Sequence, residues 1–127
     1  MRWSVLVIYT AKIVSIDNND EDDLSINIDG CVLRCFCAYT PYDIVEGEVY
    51  NVEMSLFFND DIDMNISSKS VGVYNVSYYK HLIVGHCVNG CVCSGIKFCD
   101  EYFKSWFGMY DGKLVEIVVD RIDLAFL

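Results

Sequence analysis

The chain has 127 residues, 54% of them hydrophobic, with a mean hydropathy of +0.29. This composition excludes a disordered chain and suffices for the core of a single domain, which we place at 1–127. Nineteen acidic and nine basic residues give a net charge of −10, which repels phosphate backbones and therefore disfavours nucleic acid as a partner.

The first predicted element is a β-strand from Val5 to Ile16. The N-terminal apolar run is short, is followed directly by Lys12 and lacks a small-residue cleavage site, so we expect a strand and no signal peptide. No run of the sequence is long enough to predict a membrane span. The strand is apolar on both faces at its start, which is typical of a closed or strongly curved sheet. An acidic loop, Asp17 to Asp23, follows.

Leu24 to Cys37 is predicted to form a hairpin, because Asp29-Gly30 favours a two-residue turn. Pairing Ile28 with Cys31 divides the hairpin into a buried face and a largely polar face. The buried face is Leu24, Ile26, Ile28, Cys31, Leu33, Cys35 and Cys37.

The second half of the chain continues with short strands. We predict strands at 49–58, 71–77, 114–119 and 122–126, a loop at 62–70, and a hairpin from Tyr78 to Cys99 around Asn89-Gly90. The apolar parity changes near Asp120-Arg121, which indicates a bulge or bend. Asp100 is a good N-cap, and the aromatic spacing after it predicts one short helix.

These elements predict a mainly β fold, either a small antiparallel barrel or a sandwich, with one short helix near residues 100–107. The long two-faced first strand, the β-meander from Val5 to Cys37 and the chain length resemble an OB-type barrel. The predicted helix departs from that resemblance, because it falls late in the chain rather than between the third and fourth strands.

Seven cysteines include the spacing C-x-x-x-C-x-C twice, at Cys31 and at Cys87. The hairpin turn precedes the first triplet but interrupts the second, so the two copies are not equivalent. Residues four apart on a strand lie about 13 Å apart, too far to share one zinc ion. We expect no metal and no cofactor; the alternative is a cross-strand metal cluster of Cys91, Cys93 and His86. The odd cysteine count and the lack of a secretion signal favour free thiols and a cytoplasmic location.

No catalytic motif is evident, so we expect a protein that is not an enzyme. His86 and Cys93 are predicted cross-strand neighbours and form the one nucleophile–base pair that the pattern offers. No loop that resembles an oxyanion site accompanies them.

The acidic loops with nearby aromatic residues favour the docking of a basic protein partner. The chain resembles in composition the small acidic toxin-immunity and inhibitor proteins, and the resemblance implies a toxin or nuclease as the partner. The alternative is an OB-like module that binds a small or extended ligand through Arg34, Phe36 and Tyr39. The residues predicted to bind the partner are Asp17, Asp20, Glu21, Asp22, Asp23, Asp60, Asp61, Asp63, Tyr78, Tyr79, Trp106 and Tyr110.

Overall fold

The computed structural model describes residues 7–20 and 22–127, so Val5 and Leu6 of the predicted first strand, and Glu21, lie outside the described residues. The described chain forms eleven strands, one α-helix and one 3-10 turn at Gly108–Tyr110. The strands and the helix are β1 Ile8–Ile16, β2 Asp23–Ile28, β3 Cys31–Phe36, β4 Val49–Phe57, β5 Met64–Ile66, β6 Gly72–Ser77, β7 Lys80–Val88, β8 Cys91–Cys93, β9 Lys97–Cys99, α1 Glu101–Trp106, β10 Leu114–Val119 and β11 Arg121–Phe126.

Five of the strands close into a barrel in the order β1-β2-β3-β11-β4, and β4 pairs again with β1. All the pairings are antiparallel except that of β3 with β11, which is parallel and is joined only at Phe36 and Asp123. An order of first, second, third, fifth and fourth barrel strands is that of the OB barrel. The predicted small β-barrel is therefore confirmed.

A second sheet is inserted between the last two barrel strands, β4 and β11. Its order is β5-β10-β7-β8-β9, with β6 also paired to β7, and α1 belongs to the same insertion. This explains the late position of the helix, whose N-cap Asp100 accepts a hydrogen bond from the Tyr102 amide as predicted. It also explains the parity change at Asp120-Arg121, because the chain passes there from the second sheet into the barrel.

The first hairpin has the predicted register, with Ile28 opposite Cys31 and Leu24 opposite Cys35. Asp29 and Gly30 both have positive φ, 50° and 86°, as the tight turn requires. The side chains on the predicted inner face are buried, except that Cys31 is half-buried. They join one continuous apolar cluster that extends into the second sheet through residues such as Phe98 and Ile117.

Two element predictions are wrong. The predicted loop at 62–70 contains β5, a three-residue strand too short to show a period, in which the Met64 side chain is buried against β10. The predicted return strand to Cys99 is split into β8 and β9, because the chain turns at residues 94–96. Gly85 of β7 permits the close approach of the backbone at the end of β8, since a Cβ at Gly85 would lie 2.4 Å from the Cys93 carbonyl oxygen.

The prediction that the thiols stay free is wrong for two cysteines. The fold-back of β9 on β8 places Cys91 opposite Cys99, with Cα atoms 4.2 Å apart, and the two form a disulfide. The other five cysteines are free. Reading residues 91–99 as one strand hid this pairing, because a continuous strand would hold the two cysteines far apart.

Candidate functional site

The acidic loop between β1 and β2 is ordered by its own side chains. The Asp17 carboxylate accepts hydrogen bonds from the Asn19 and Asp20 amides at 2.8 and 3.0 Å, and the Asp20 carboxylate accepts one from the Asp22 amide at 3.1 Å. The Cys37 amide donates to the Asp22 carbonyl at 2.9 Å and ties the loop to the end of β3. Such turns fix the backbone and hold the carboxylates in a defined array.

An ion pair lies beside this loop on the outer face of the first hairpin. Asp23 and Arg34 occupy neighbouring strands, and the guanidinium binds both carboxylate oxygens, with Nε donating to Oδ1 at 2.9 Å. The Asp23 side chain is 11% exposed and that of Arg34 is 34% exposed. Asp23 is therefore largely neutralised within the molecule, whereas Asp17 and Asp20 stay exposed.

The turn between β6 and β7 brings Tyr78 and Tyr79 over this ion pair. The Arg34 guanidinium carbon lies 5.1 Å from the Tyr78 ring centroid and 5.4 Å from that of Tyr79, which is cation–π geometry. Tyr79 also packs edge-on against Phe36 of β3, with ring centroids 5.9 Å apart. Tyr78 is 74% exposed, so most of its ring remains available to a partner.

The backbone of this turn is held in an uncommon conformation. Tyr78 has φ of 46°, in the left-handed region that side chains other than glycine rarely adopt. The Asn75 side-chain amide donates to the Tyr78 carbonyl at 2.9 Å, and the Nδ1–H of buried His81 donates to the Tyr79 carbonyl at 2.7 Å. Burial lowers the pKa of His81 and so favours the neutral ring, and the hydrogen bond to the Tyr79 carbonyl places the proton on Nδ1.

We call this surface the acidic–aromatic patch; it comprises Asp17, Asp20, Asp22, Asp23, Arg34, Tyr78 and Tyr79. An open depression of about 420 Å³ lies between the loop and Arg34. Burial raises the pKa of the Tyr79 hydroxyl, and the negative charges of Asp23 and Asp20 raise it further. Carboxylates beside an exposed aromatic ring are suited to a guanidinium or ammonium group.

A second cation on the barrel face is also neutralised. Arg121 lies between the rings of Phe36 and Phe57, 4.3 and 4.5 Å from their centroids, and its Nε donates to Asp123 at 2.5 Å. Phosphate contacts require available cations. The two arginines of this face, Arg34 and Arg121, are already paired, so the face offers little to a phosphate backbone.

The other predicted partner-binding residues lie away from the patch or show no contact with it. Asp60 and Asp61 are exposed in the loop after β4, and Asp63 accepts a hydrogen bond from Asn65. Trp106 stacks on Tyr102 of α1 with centroids 4.3 Å apart, and Tyr110 lies parallel to Phe107. The helix packs beside the turn at Gly90, at the far end of β7, roughly 26 Å along that strand from Tyr79.

The predicted pair of Cys93 and His86 does face across β8 and β7. His86 is exposed, and in residues 7–20 and 22–127 no side chain hydrogen-bonds to its ring. The disulfide removes the Cys91 thiol from the alternative metal cluster, and the described residues contain no group of three or more potential metal ligands. The geometry thus leaves His86 without the orienting partner that nucleophile activation requires.

Sequence reasoning missed Arg121, Asp123, Asn75 and His81. A basic and an acidic residue two apart on a strand share a face, so the pair of Arg121 and Asp123 was visible in the sequence. The roles of Asn75 and His81 were not, because they depend on carbonyl groups of a turn whose shape the sequence does not specify.

The fold and the patch together define the molecule as a closed five-stranded β-barrel that carries an inserted β-sheet and an acidic, aromatic face. A protein-family profile matches residues 7–127, and the chain belongs to that family, described as Uncharacterised conserved protein UCP019853. No curated protein and no solved structure matches the chain. In the described part of the chain no helix is long and apolar enough to cross a membrane.

Proposed function

We propose that this protein is a non-enzymatic binding protein that docks a basic protein partner on the acidic–aromatic patch. The observation that carries the proposal is the ordered carboxylate array of the β1–β2 loop beside the exposed ring of Tyr78. A net charge of −10 adds a long-range attraction for a basic surface.

The mode of action we propose is that of an inhibitor resembling toxin-immunity proteins. The loop carboxylates occupy the positions in which a basic nuclease or toxin would bind phosphate, and Tyr78 is the aromatic anchor. Residues of the loop after β4, Asp60 and Asp61, contribute to steering but not to docking. A cytoplasmic location belongs to this proposal; the Cys91–Cys99 disulfide is the feature that speaks against a reducing compartment.

The runner-up function, an OB-like module that binds a ligand on its barrel face, receives less support. Arg34 and Phe36 are engaged by Asp23 and Tyr79, so of the three residues predicted for it, only Tyr39 is fully available at 76% exposure.

The test compares two variants that carry the same change in net charge. Asp20→Asn with Asp22→Asn neutralises two carboxylates of the patch, and Asp60→Asn with Asp61→Asn neutralises two in the other loop. Asparagine keeps the side-chain oxygen that accepts the Asp22 amide, so the loop geometry is preserved. Each tagged protein is used to capture partners from the source cells, with identification by mass spectrometry and binding measured on the purified partner.

We expect the captured partner to be a basic protein whose affinities for wild type and for the control variant agree within about twofold. Its affinity for the patch variant should be at least about tenfold lower, which corresponds to about 1.4 kcal/mol. Tyr78→Gly should weaken binding similarly without unfolding the protein, because glycine accepts the positive φ. A partner without basic character, or equal loss in both charge variants, would overturn the proposal.

A further inference from the structure

The parallel seam of the barrel leaves one strand edge unpaired. The Leu127 amide donates to the Asn51 carbonyl of the β4 side, and strand groups alternate in direction. The amide and carbonyl of Leu124 and Phe126 therefore point away from β4, toward β3. Within the described residues, β3 reaches β11 only at Phe36 and Asp123, so the Phe126 groups meet no strand partner there.

An open groove of about 350 Å³ lies along this edge, and we call it the seam groove. Its walls are Phe36, Ala38, Tyr39 and Pro41 on one side and residues 123–126 on the other. Ala38 and Ala125 are exposed, and their small side chains leave room for another chain. The Tyr42 hydroxyl donates to the Leu127 carbonyl at 2.6 Å at the end of β11.

Of the described residues that line the seam groove, Asp123 carries the only charge, and it is already paired with Arg121. The acidic charge available to a ligand therefore comes from the acidic–aromatic patch beside the groove. Asp22 lies beside the end of β3, because its carbonyl accepts a hydrogen bond from the Cys37 amide at 2.9 Å. Cys37 directly precedes Ala38 of the groove wall, so Asp22 places the edge of the acidic–aromatic patch next to the groove. An apolar channel with an open strand edge and carboxylates beside it is suited to an extended peptide with apolar and basic side chains.

We propose that the seam groove binds an extended segment of the basic partner, which adds as a strand beside the open edge of β11 at Phe126. This inference rests on the proposed function and names the part of the partner that is recognised. Main-chain hydrogen bonds to Phe126 give affinity, apolar side chains enter between Ala38 and Ala125, and a lysine or arginine reaches the patch carboxylates.

The test begins with a displayed library of random twelve-residue peptides selected on the wild-type protein. The best peptide is synthesised with a fluorescent label, and its affinity for wild type, Ala125→Arg and Val88→Arg is measured by anisotropy. Val88→Arg is the control, because Val88 has an exposed side chain and lies on the second sheet. A second copy of the peptide carries N-methyl groups on alternate amides, which block strand pairing and leave the side chains unchanged.

We expect selected peptides to combine apolar residues with lysine or arginine, and both Ala125→Arg and N-methylation to weaken binding at least about tenfold. Val88→Arg should leave affinity within about twofold. If Ala125→Arg fails to fold, hydrogen exchange of the wild-type protein serves instead: the Phe126 amide should be protected only with peptide bound.

Failure of the two proposals is distinguishable. Sensitivity to Asp20→Asn with Asp22→Asn, but not to N-methylation or Ala125→Arg, overturns strand addition and supports the patch. The reverse pattern supports strand addition and overturns the patch as the docking site. A library that yields no binder, only acidic binders, or binders that leave the Phe126 amide unprotected overturns the seam proposal.

Discussion

The ion pair between Arg34 and Asp23 gives the sharpest prediction about how the patch is held. Arg34→Met keeps the aliphatic stem but leaves Asp23, whose side chain is 11% exposed, without its partner. Breaking a fully buried pair costs about 3–5 kcal/mol. Because Arg34 is about one-third exposed, water re-solvates part of the site, and we reduce this cost to about 2 kcal/mol.

Loss of the two cation–π contacts with Tyr78 and Tyr79 adds about 0.5 kcal/mol each. The expected destabilisation of Arg34→Met is therefore about 3 kcal/mol. In a double-mutant cycle with Asp23→Asn, the coupling between the two sites should be about 1–2 kcal/mol, since neither single variant keeps the bidentate geometry.

The assay is urea unfolding of wild type, both single variants and the double variant, monitored by circular dichroism. The exposed pair of Lys69 and Glu116 provides the matched cycle and should show weaker coupling. A coupling below about 0.5 kcal/mol for Arg34 and Asp23 would refute the claim that this pair fastens the site.

The other predictions concern packing, covalent structure and pH. Gly85→Ala should destabilise the fold by about 1–3 kcal/mol in the same assay, because the new Cβ meets the backbone of residues 93–94. The control is Gly108→Ala, which has open space around the new Cβ and should change stability by less than about 0.5 kcal/mol. Equal effects of the two substitutions would contradict the prediction. Replacing Cys91 and Cys99 by serine should lower the free energy of unfolding by about 2–3 kcal/mol for a loop of this length. Alkylation of the denatured protein should count five thiols before reduction and seven after reduction. Seven thiols before and after reduction would disprove the disulfide. The pKa of His81 is lowered in the folded state. The contribution of His81 to the free energy of unfolding is therefore complete above its unfolded-state pKa of about 6.5, and it is lost as the pH falls through the folded-state pKa. In urea unfolding at several pH values, His81→Gln should remove this part of the pH dependence.

Local features of the fold were predictable, because they are set by a few neighbouring residues. The register of the first hairpin follows from Asp29-Gly30 and the period of two, and the helix start follows from Asp100. The junction of β3 with β11 joins Phe36 to Asp123. No local pattern reports such a distant contact, so strand order came only from the structure.

The candidate site was predictable as a set of residues but not as an arrangement. The sequence singled out the loop from Asp17 to Asp23 and the pair Tyr78-Tyr79 by charge and aromatic content. Their proximity depends on a turn of the inserted sheet that packs on Phe36. The sequence singled out Trp106 for the same aromatic character as Tyr78, yet the helix places Trp106 at the other end of β7.

The ionic-strength dependence of the association rate tests the proposed docking most directly. The captured partner is mixed with wild type and with Asp20→Asn/Asp22→Asn at salt concentrations from 0.05 to about 1 M, over which the Debye length falls to about 3 Å. We predict that the wild-type rate falls steeply with salt and that the patch variant starts slower and varies less. A rate that is independent of salt, or unchanged by the two substitutions, would contradict docking on the acidic–aromatic patch.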